Sequence, residues 1–205
     1  QWDFAFDQNK VGKKEKWYRD LPATHKIEVP FCPESVLSGI GHTDFINACW
    51  YAREIEIPES ALAGRVLLHF GAVDQIATVY INGAELMTHV GGFTPFSVDI
   101  SEALKGNNVS LAVRVLDITD SSWHSRGKQS SKRGGIWYTP QSGIWQTVWL
   151  ETVPERYIQE LDIQVTLKES VIRTTPALSG TVTLDGKEYP DDLGQSMSYD
   201  EVFGQ

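Results

Sequence analysis

Apolar and polar positions alternate along this chain in short runs. Ala77, Val79 and Ile81 are separated by Thr78 and Tyr80, the period of a half-buried strand. Asn82-Gly83 then supplies the two positive-φ residues of a type I′ turn, so the chain must reverse there. A return strand through Leu86 and Thr88 is broken by Gly91-Gly92-Phe93-Thr94-Pro95-Phe96, after which Phe96, Val98 and Ile100 resume the alternation. The same period marks Trp2, Phe4 and Phe6 as a first strand. Ile27 to Phe31 reads as a short strand that Pro30 and Pro33 confine to a sheet edge. Ala48 to Ile57, Arg65 to Phe70 and Val109 to Val115 follow, and the run from Ile144 to Leu150 sets Ile144, Val148 and Leu150 against Trp145, Thr147 and Trp149. Between them Ser101 is expected to cap a single helical turn closed at Gly106. About eight short strands without helical periodicity predict an all-β sandwich or jelly roll.

Pro154 marks a change. Tyr157, Leu161, Ile163 and Val165 predict one more strand, and Gly180 to Tyr189 a hairpin around Asp185-Gly186. The expected division is therefore 1–154 as the main sandwich and 155–205 as the incomplete start of a second, smaller β domain, or a ragged tail. With 205 residues, either part of that division leaves a sizeable core to the first domain.

Charge narrows the partners. Eighteen basic against twenty-seven acidic residues give a net charge of −9 with no block of one sign, which argues against a nucleic-acid partner. No run approaches the roughly 20 apolar residues of a membrane span, so the chain reads as soluble, and its compartment, cytoplasmic or periplasmic and secreted, stays open. The two cysteines, Cys32 and Cys49, exclude a disulfide-rich scaffold and a four-cysteine zinc site, and are read as buried free thiols, with a single bridge as the alternative. Seven tryptophans, seven tyrosines and eight phenylalanines suit a β-sandwich core or a carbohydrate platform.

The chemistry concentrates between Val115 and Ile144, a connection longer than the ~12 to 15 residues at which structureless loops become unusual. Asp117, Asp120, Trp123, His124, Arg126, Lys128, Gln129, Trp137 and Tyr138 combine planar rings with charged and amide groups. Sugars are bound by that mixture, ring face on aromatic and hydroxyls on polar groups. The competing reading makes Trp137, Trp145 and Trp149 core residues and the basic residues a solvated rim.

Several motifs carry a resemblance. Trp50-Tyr51-Ala52-Arg53, then Leu68-His69-Phe70-Gly71-Ala72-Val73-Asp74, Val79-Tyr80-Ile81-Asn82-Gly83 and His89-Val90-Gly91-Gly92-Phe93-Thr94-Pro95-Phe96 follow one another in the order found in glycoside hydrolase family 2. Arg126-Gly127-Lys128-Gln129, Gly135-Ile136-Trp137-Tyr138 and Ser142-Gly143-Ile144-Trp145 extend the match to about residues 2–165. The chain resembles the N-terminal sugar-binding domain of that β-galactosidase and β-glucuronidase family. The resemblance implies a galactose-binding-like jelly roll, followed by an immunoglobulin-like sandwich and a catalytic (β/α)8 barrel on the same polypeptide. It also implies a β-glycoside as the carbohydrate partner.

In that family both catalytic glutamates lie on the barrel, the acid/base within an Asn-Glu pair, and no Asn-Glu pair occurs in this sequence. The chain is accordingly expected to be non-catalytic alone, with no catalytic residue, and to shape the substrate pocket of a retaining enzyme whose two carboxyls stand about 5 to 5.5 Å apart. Asp74 matches a position where an Asn or Asp reaches toward substrate or a bound cation. It is the first candidate site residue, its alternative role being to fix the turn through backbone N–H bonds. Lys128, Gln129, Trp137, Arg126 and Trp123 are the further substrate-binding candidates. No cofactor or metal is expected in this chain, although a cation beside Asp74 is compatible with the full enzyme. Two other readings remain open, a free-standing carbohydrate-binding module and a structural β-sandwich used in assembly.

Overall fold

The computed structural model describes residues 1–121 and 124–165, and beyond them 169–176, 179–184, 187–192 and 196–198. It divides into two compact units, Gln1–Val153 and Pro154–Gln205. In the first unit the strands are β1 (Trp2–Phe6), β2 (His25–Ile27), β3 (Ala48–Glu56), β4 (Arg65–Phe70), β5 (Val73–Asp74), β6 (Ile76–Ile81), β7 (Ala84–Val90), β8 (Phe96–Asp99), β9 (Asn108–Leu116), β10 (Gly143–Ile144) and β11 (Val148–Val153). Short 3-10 turns are the only helical elements among the described residues. None is long and apolar enough to cross a membrane.

One layer is a six-stranded sheet in the order β2-β1-β3-β9-β6-β7, antiparallel throughout. The other consists of β11-β4-β8 and the short β10-β5 ladder. Their inner faces share one core, in which Val109, Leu111, Val113 and Val115 of β9 meet Val66, Leu68 and Phe70 of β4 and Phe96 and Val98 of β8. This is the jelly-roll sandwich that the period-2 pattern predicts. β2 lies at the sheet edge, where the prolines that follow it remove no ladder bond.

The β6–β7 turn has Asn82 at φ 51 and Gly83 at φ 78, both left-handed as a type I′ turn requires. The Asn82 side chain adds two long-range bonds, donating to Ala103 C=O at 2.9 Å and accepting from Ser110 N–H at 3.1 Å. The outer face of the six-stranded sheet is also covered. Residues of the 7–24 segment lay Trp17, Tyr18 and Leu21 over Trp50, Tyr80 and Ala112, with Tyr18 stacked on Tyr80 at 4.9 Å. The Asp7 carboxylate ties that segment down, accepting from Val11 N–H, Gly12 N–H and Trp50 Nε1 at 2.7, 3.0 and 2.9 Å.

Three expectations need correction. Ser101 opens its 3-10 turn but does not cap it: Asp99 Oδ1 accepts its N–H at 3.0 Å and its hydroxyl at 2.6 Å. The run from Ile144 to Leu150 is two strands, because its partner changes. Ile144 opposes Val73 and Val148 opposes Phe70. Ile144 and Val148 share parity while Phe70 and Val73 do not, so three residues face two and the extra one is bulged. Finally, Trp149 is not a core residue: it is 45% exposed and lies flat on His69 at 4.9 Å on the outside of the sheet, and the binding candidate Trp137 is exposed as well.

In the second unit β12 (Glu160–Val165) pairs with β13 (Glu169–Thr175), which pairs with β16 (Ser196–Ser198), and β14 (Ser179–Leu184) pairs with β15 (Lys187–Asp192). The expected turn residues Asp185 and Gly186 lie outside the described residues. Leu161, Ile163 and Val165 fall on one face of β12 and are all exposed.

Candidate functional site

Five segments converge at one end of the sandwich. β5 ends at Asp74 and leads into β6, while the turn after β7 carries Gly92. The segment after β9 begins at Asp117, whose N–H bonds Asn47 C=O at the start of β3. The β2–β3 connection contributes Glu34, and β10 brings Gly143 directly opposite Asp74. Asp74 is only 7% exposed. Its carboxyl accepts a hydrogen bond from the Gln129 side chain and packs against the backbone of Gly92, where a Cβ would lie 2.8 Å from Asp74 Oδ1. The hydrogen-bond partner of this carboxyl is thus a side chain of the long loop.

Burial pushes the Asp74 carboxyl up to about 7, helped by the negative charges of Asp117 and Glu34 and opposed by the Gln129 bond. Glu34 is raised to about 7 as well, chiefly by burial, and bonds from Ser142 and Cys32 offset part of that rise. Asp117 is satisfied within the protein. Its Oδ1 accepts from Thr119 N–H and Oγ1, both at 2.7 Å, and its Oδ2 from Ser142 Oγ at 2.9 Å. Tyr51 completes the base: its hydroxyl accepts the Ile144 N–H at 3.2 Å and occupies the space a Cβ on Gly143 would need. Gly143 also has φ +81, so both its backbone and its neighbour call for glycine.

The loop from Ser125 to Gln141 is folded, not structureless. Tyr138 N–H donates to Lys128 C=O at 2.8 Å and Ser130 N–H to Tyr138 C=O at 3.2 Å, while Gly134 and Trp137 exchange bonds at 3.1 Å. Gln129 spans the gap to the sandwich, since its Oε1 accepts Gln141 N–H at 2.6 Å while its amide serves Asp74. Arg126 Nη1 donates to Thr119 C=O at 2.9 Å and its Nε lies 3.9 Å from Asp120, and Arg133 reaches Thr43 C=O at 2.9 Å. These two arginines fix the loop to its surroundings. Ile136, Trp137 and Tyr138 remain exposed at its tip, with Lys128 exposed nearer its base.

Of the residues singled out in the sequence, the structure joins Asp74 and Gln129 directly, carries Lys128 and Trp137 on the same loop, and gives Arg126 to the loop's anchorage. Trp123 lies outside the described residues. Sequence reasoning missed Glu34, Ser142 and Tyr51. Glu34 sits in a proline-flanked connection with no periodic signal, and only packing brings it to Ser142, over a hundred residues away. The Trp145 indole also belongs here, donating to Gly92 C=O at 2.8 Å and meeting Phe93 edge-on. Among the described residues no three His, Cys, Asp or Glu are arranged to hold a metal ion. With both oxygens of Asp117 already bonded, a cation held by Asp74 would take its remaining ligands from elsewhere.

Chemically the described groups are a protected carboxyl bonded to an amide, and, on the loop that supplies the amide, an exposed lysine and exposed rings, residue types that bind hydroxyls and a sugar face. The family described as Glycosyl hydrolases family 2, sugar binding domain, matches residues 40–154. A beta-glucuronidase of Paenibacillus borealis is 33% identical over 116 residues, which cover 55% of this chain and 20% of that protein. A beta-galactosidase of Thermoanaerobacter pseudethanolicus is 33% identical over 149 residues, covering 71% and 19%. Among solved structures, a β-glucuronidase from Ruminococcus gnavus in complex with C6-substituted uronic isofagomine matches with a TM-score of 0.68 at 26% identity, over 85% of this chain and 32% of that one. A beta-glucuronidase from an uncultured Clostridium sp. matches in fold with a TM-score of 0.72 at 21% identity, over 98% and 38%. The chain spans about a fifth of the length of these two curated relatives.

Proposed function

Since the chain belongs to glycosyl hydrolase family 2 through its sugar-binding domain, we propose that it is a non-catalytic part of a retaining β-glycosidase. Its role is to supply one wall of the substrate pocket to a catalytic barrel on the same polypeptide. The observation that carries this reading is the Asp74–Gln129 contact. It ties the long loop that carries Lys128 and Trp137 to the sandwich end, at a nearly buried carboxyl. A pocket wall works through such fixed positions, because groups already ordered lose little freedom when substrate arrives. Asp117 is not available to a hydrolytic pair, since it accepts three internal bonds and is 4% exposed.

The unit Pro154–Gln205 is assigned, on the same reading, to an immunoglobulin-like sandwich. Its support is β12, where Leu161, Ile163 and Val165 form an exposed apolar face of the kind a second sheet covers. The substrate class is a β-glycoside, following the glucuronidases and galactosidase to which the chain is similar.

The test is to incubate the purified chain with nitrophenyl β-glucuronide, β-galactoside and β-mannoside. No turnover above a buffer blank is expected. Hydrolysis that co-elutes with the monomer and survives a change of expression host would overturn the non-catalytic assignment.

A further inference from the structure

Glu34 belongs to no strand, yet its carboxyl reaches the segment that faces Asp74. The stretch that carries it is closed on itself. Ser35 N–H donates to Cys32 C=O and His42 N–H to Pro33 C=O, both at 2.9 Å, and Ser35 Oγ accepts Leu37 N–H at 3.2 Å where the 3-10 turn Val36–Ser38 begins. Glu28 N–H, just after β2, adds a bond to Ser38 C=O at 2.9 Å. Glu34 therefore projects from a fixed base. Its Oε2 accepts the Ser142 N–H at 3.2 Å, across 108 positions of sequence.

Three consecutive residues meet the site there. Gln141 N–H is bonded by Gln129 Oε1 at 2.6 Å, and the Gln129 amide serves Asp74. Ser142 gives its N–H to Glu34 and its hydroxyl to Asp117 Oδ2 at 2.9 Å. Gly143 stands opposite Asp74 in the β5–β10 ladder. Both neighbours of Ser142 thus lead to Asp74, one through the long loop and one through the sheet. The ladder itself has only two residue pairs, too few to hold its register unaided, so the side-chain bonds to Ser142 carry that task.

We propose that Glu34 is a positioning residue of the site: through Ser142 it holds the 141–143 segment, and with it the Gln129 amide and the Gly143 backbone, against Asp74. This role rests on the pocket-wall reading for its purpose, since a wall needs its binding groups supported from behind. Charge makes the tether responsive to protons as well. Around Glu34 stand the thiols of Cys32 and Cys49, the Tyr51 hydroxyl and the carboxyls of Asp74 and Asp117, the last sharing Ser142 with it. Burial is the main reason that Glu34 and Asp74 both titrate at about 7, and carboxyls that interact over one range lose their protons in coupled steps.

The test compares Glu34→Ala and Glu34→Gln in the ¹³C,¹⁵N-labelled 205-residue chain. Ala removes the acceptor, so amide hydrogen exchange at Ser142 and Gly143 is expected to rise about 10-fold, with shifts at Asp74 and Gln129. Gln keeps an acceptor oxygen and copies the protonated acid. It is expected to restore wild-type exchange, while the Asp74 carboxyl titrates in a single step at lower pH, because one of the two negative charges acting on it is gone. A residue that only filled space would leave that titration where it was. Unchanged exchange at Ser142 in the Ala variant, or an unaltered Asp74 titration in the Gln variant, would overturn the assignment. Should the Ala variant fail to fold, the Gln variant decides alone. A wild-type chain that binds no sugar while both variants behave as stated would contradict the pocket-wall reading and leave the tether established.

Discussion

Replacing Asp74 by Asn should stabilise the domain in a way that depends on pH. Asn keeps the shape of the side chain and an oxygen for Gln129, but removes the charge that burial, Asp117 and Glu34 all disfavour. In the wild type the folded carboxyl titrates at about 7 and the unfolded one near 3.8. The folded state therefore holds the proton more tightly, so stability falls as pH rises between these values and levels off above about 7. The full difference corresponds to about 4 kcal/mol, of which the first half is lost by roughly pH 5.4. All seven tryptophans precede Val153, so their fluorescence in urea follows the first unit alone. Near pH 4 the two proteins should unfold at similar urea concentrations. Above about pH 7 the Asn variant should be more stable by several kcal/mol. A stability difference that stays constant from about pH 4 to pH 8 would refute the buried, charge-crowded carboxyl.

Two glycines provide independent checks on the framework. Gly83→Val places a β-branched residue at φ +78, with its Cβ 3.1 Å from Arg19 Cγ, and should cost more than ~1 kcal/mol in chemical denaturation; an unchanged midpoint at unchanged slope would contradict the type I′ turn. Gly92→Ala brings a methyl to 2.8 Å from Asp74 Oδ1 and should cost about 1–3 kcal/mol, most of it removed in an Asp74→Ala background. Equal cost in both backgrounds would show that the two residues do not touch.

The alternation of apolar residues made the sandwich legible, because each core strand buries one face and the sequence shows it directly. Val109 to Val115 and the Asn82-Gly83 turn are the clearest cases. The break after Ile144 was not legible. Its cause is the mismatched parity of Phe70 and Val73, on the consecutive strands β4 and β5 more than seventy residues away. Trp149 misled for a related reason: strand position identifies the face, but only the fold shows that this face is the outer one and that His69 supports the ring. At the site, Asp74 and the long loop were visible as chemistry in unusual places. Their meeting was implied only by family resemblance, and Glu34 and Ser142 had no local signal because their roles arise from contacts between distant loops.

The most direct measurement is an NMR titration of the labelled chain with glucuronate, galactose and mannose. A rim that forms one wall of a pocket excludes little water and holds few hydroxyls at once, so the expected affinity is weak, on the millimolar scale of about −4 kcal/mol. The shifts are expected at Asp74, Lys128, Gln129 and the Trp137 indole. Micromolar affinity confined to the 123–138 loop would contradict the pocket-wall account and establish a self-sufficient carbohydrate-binding module instead.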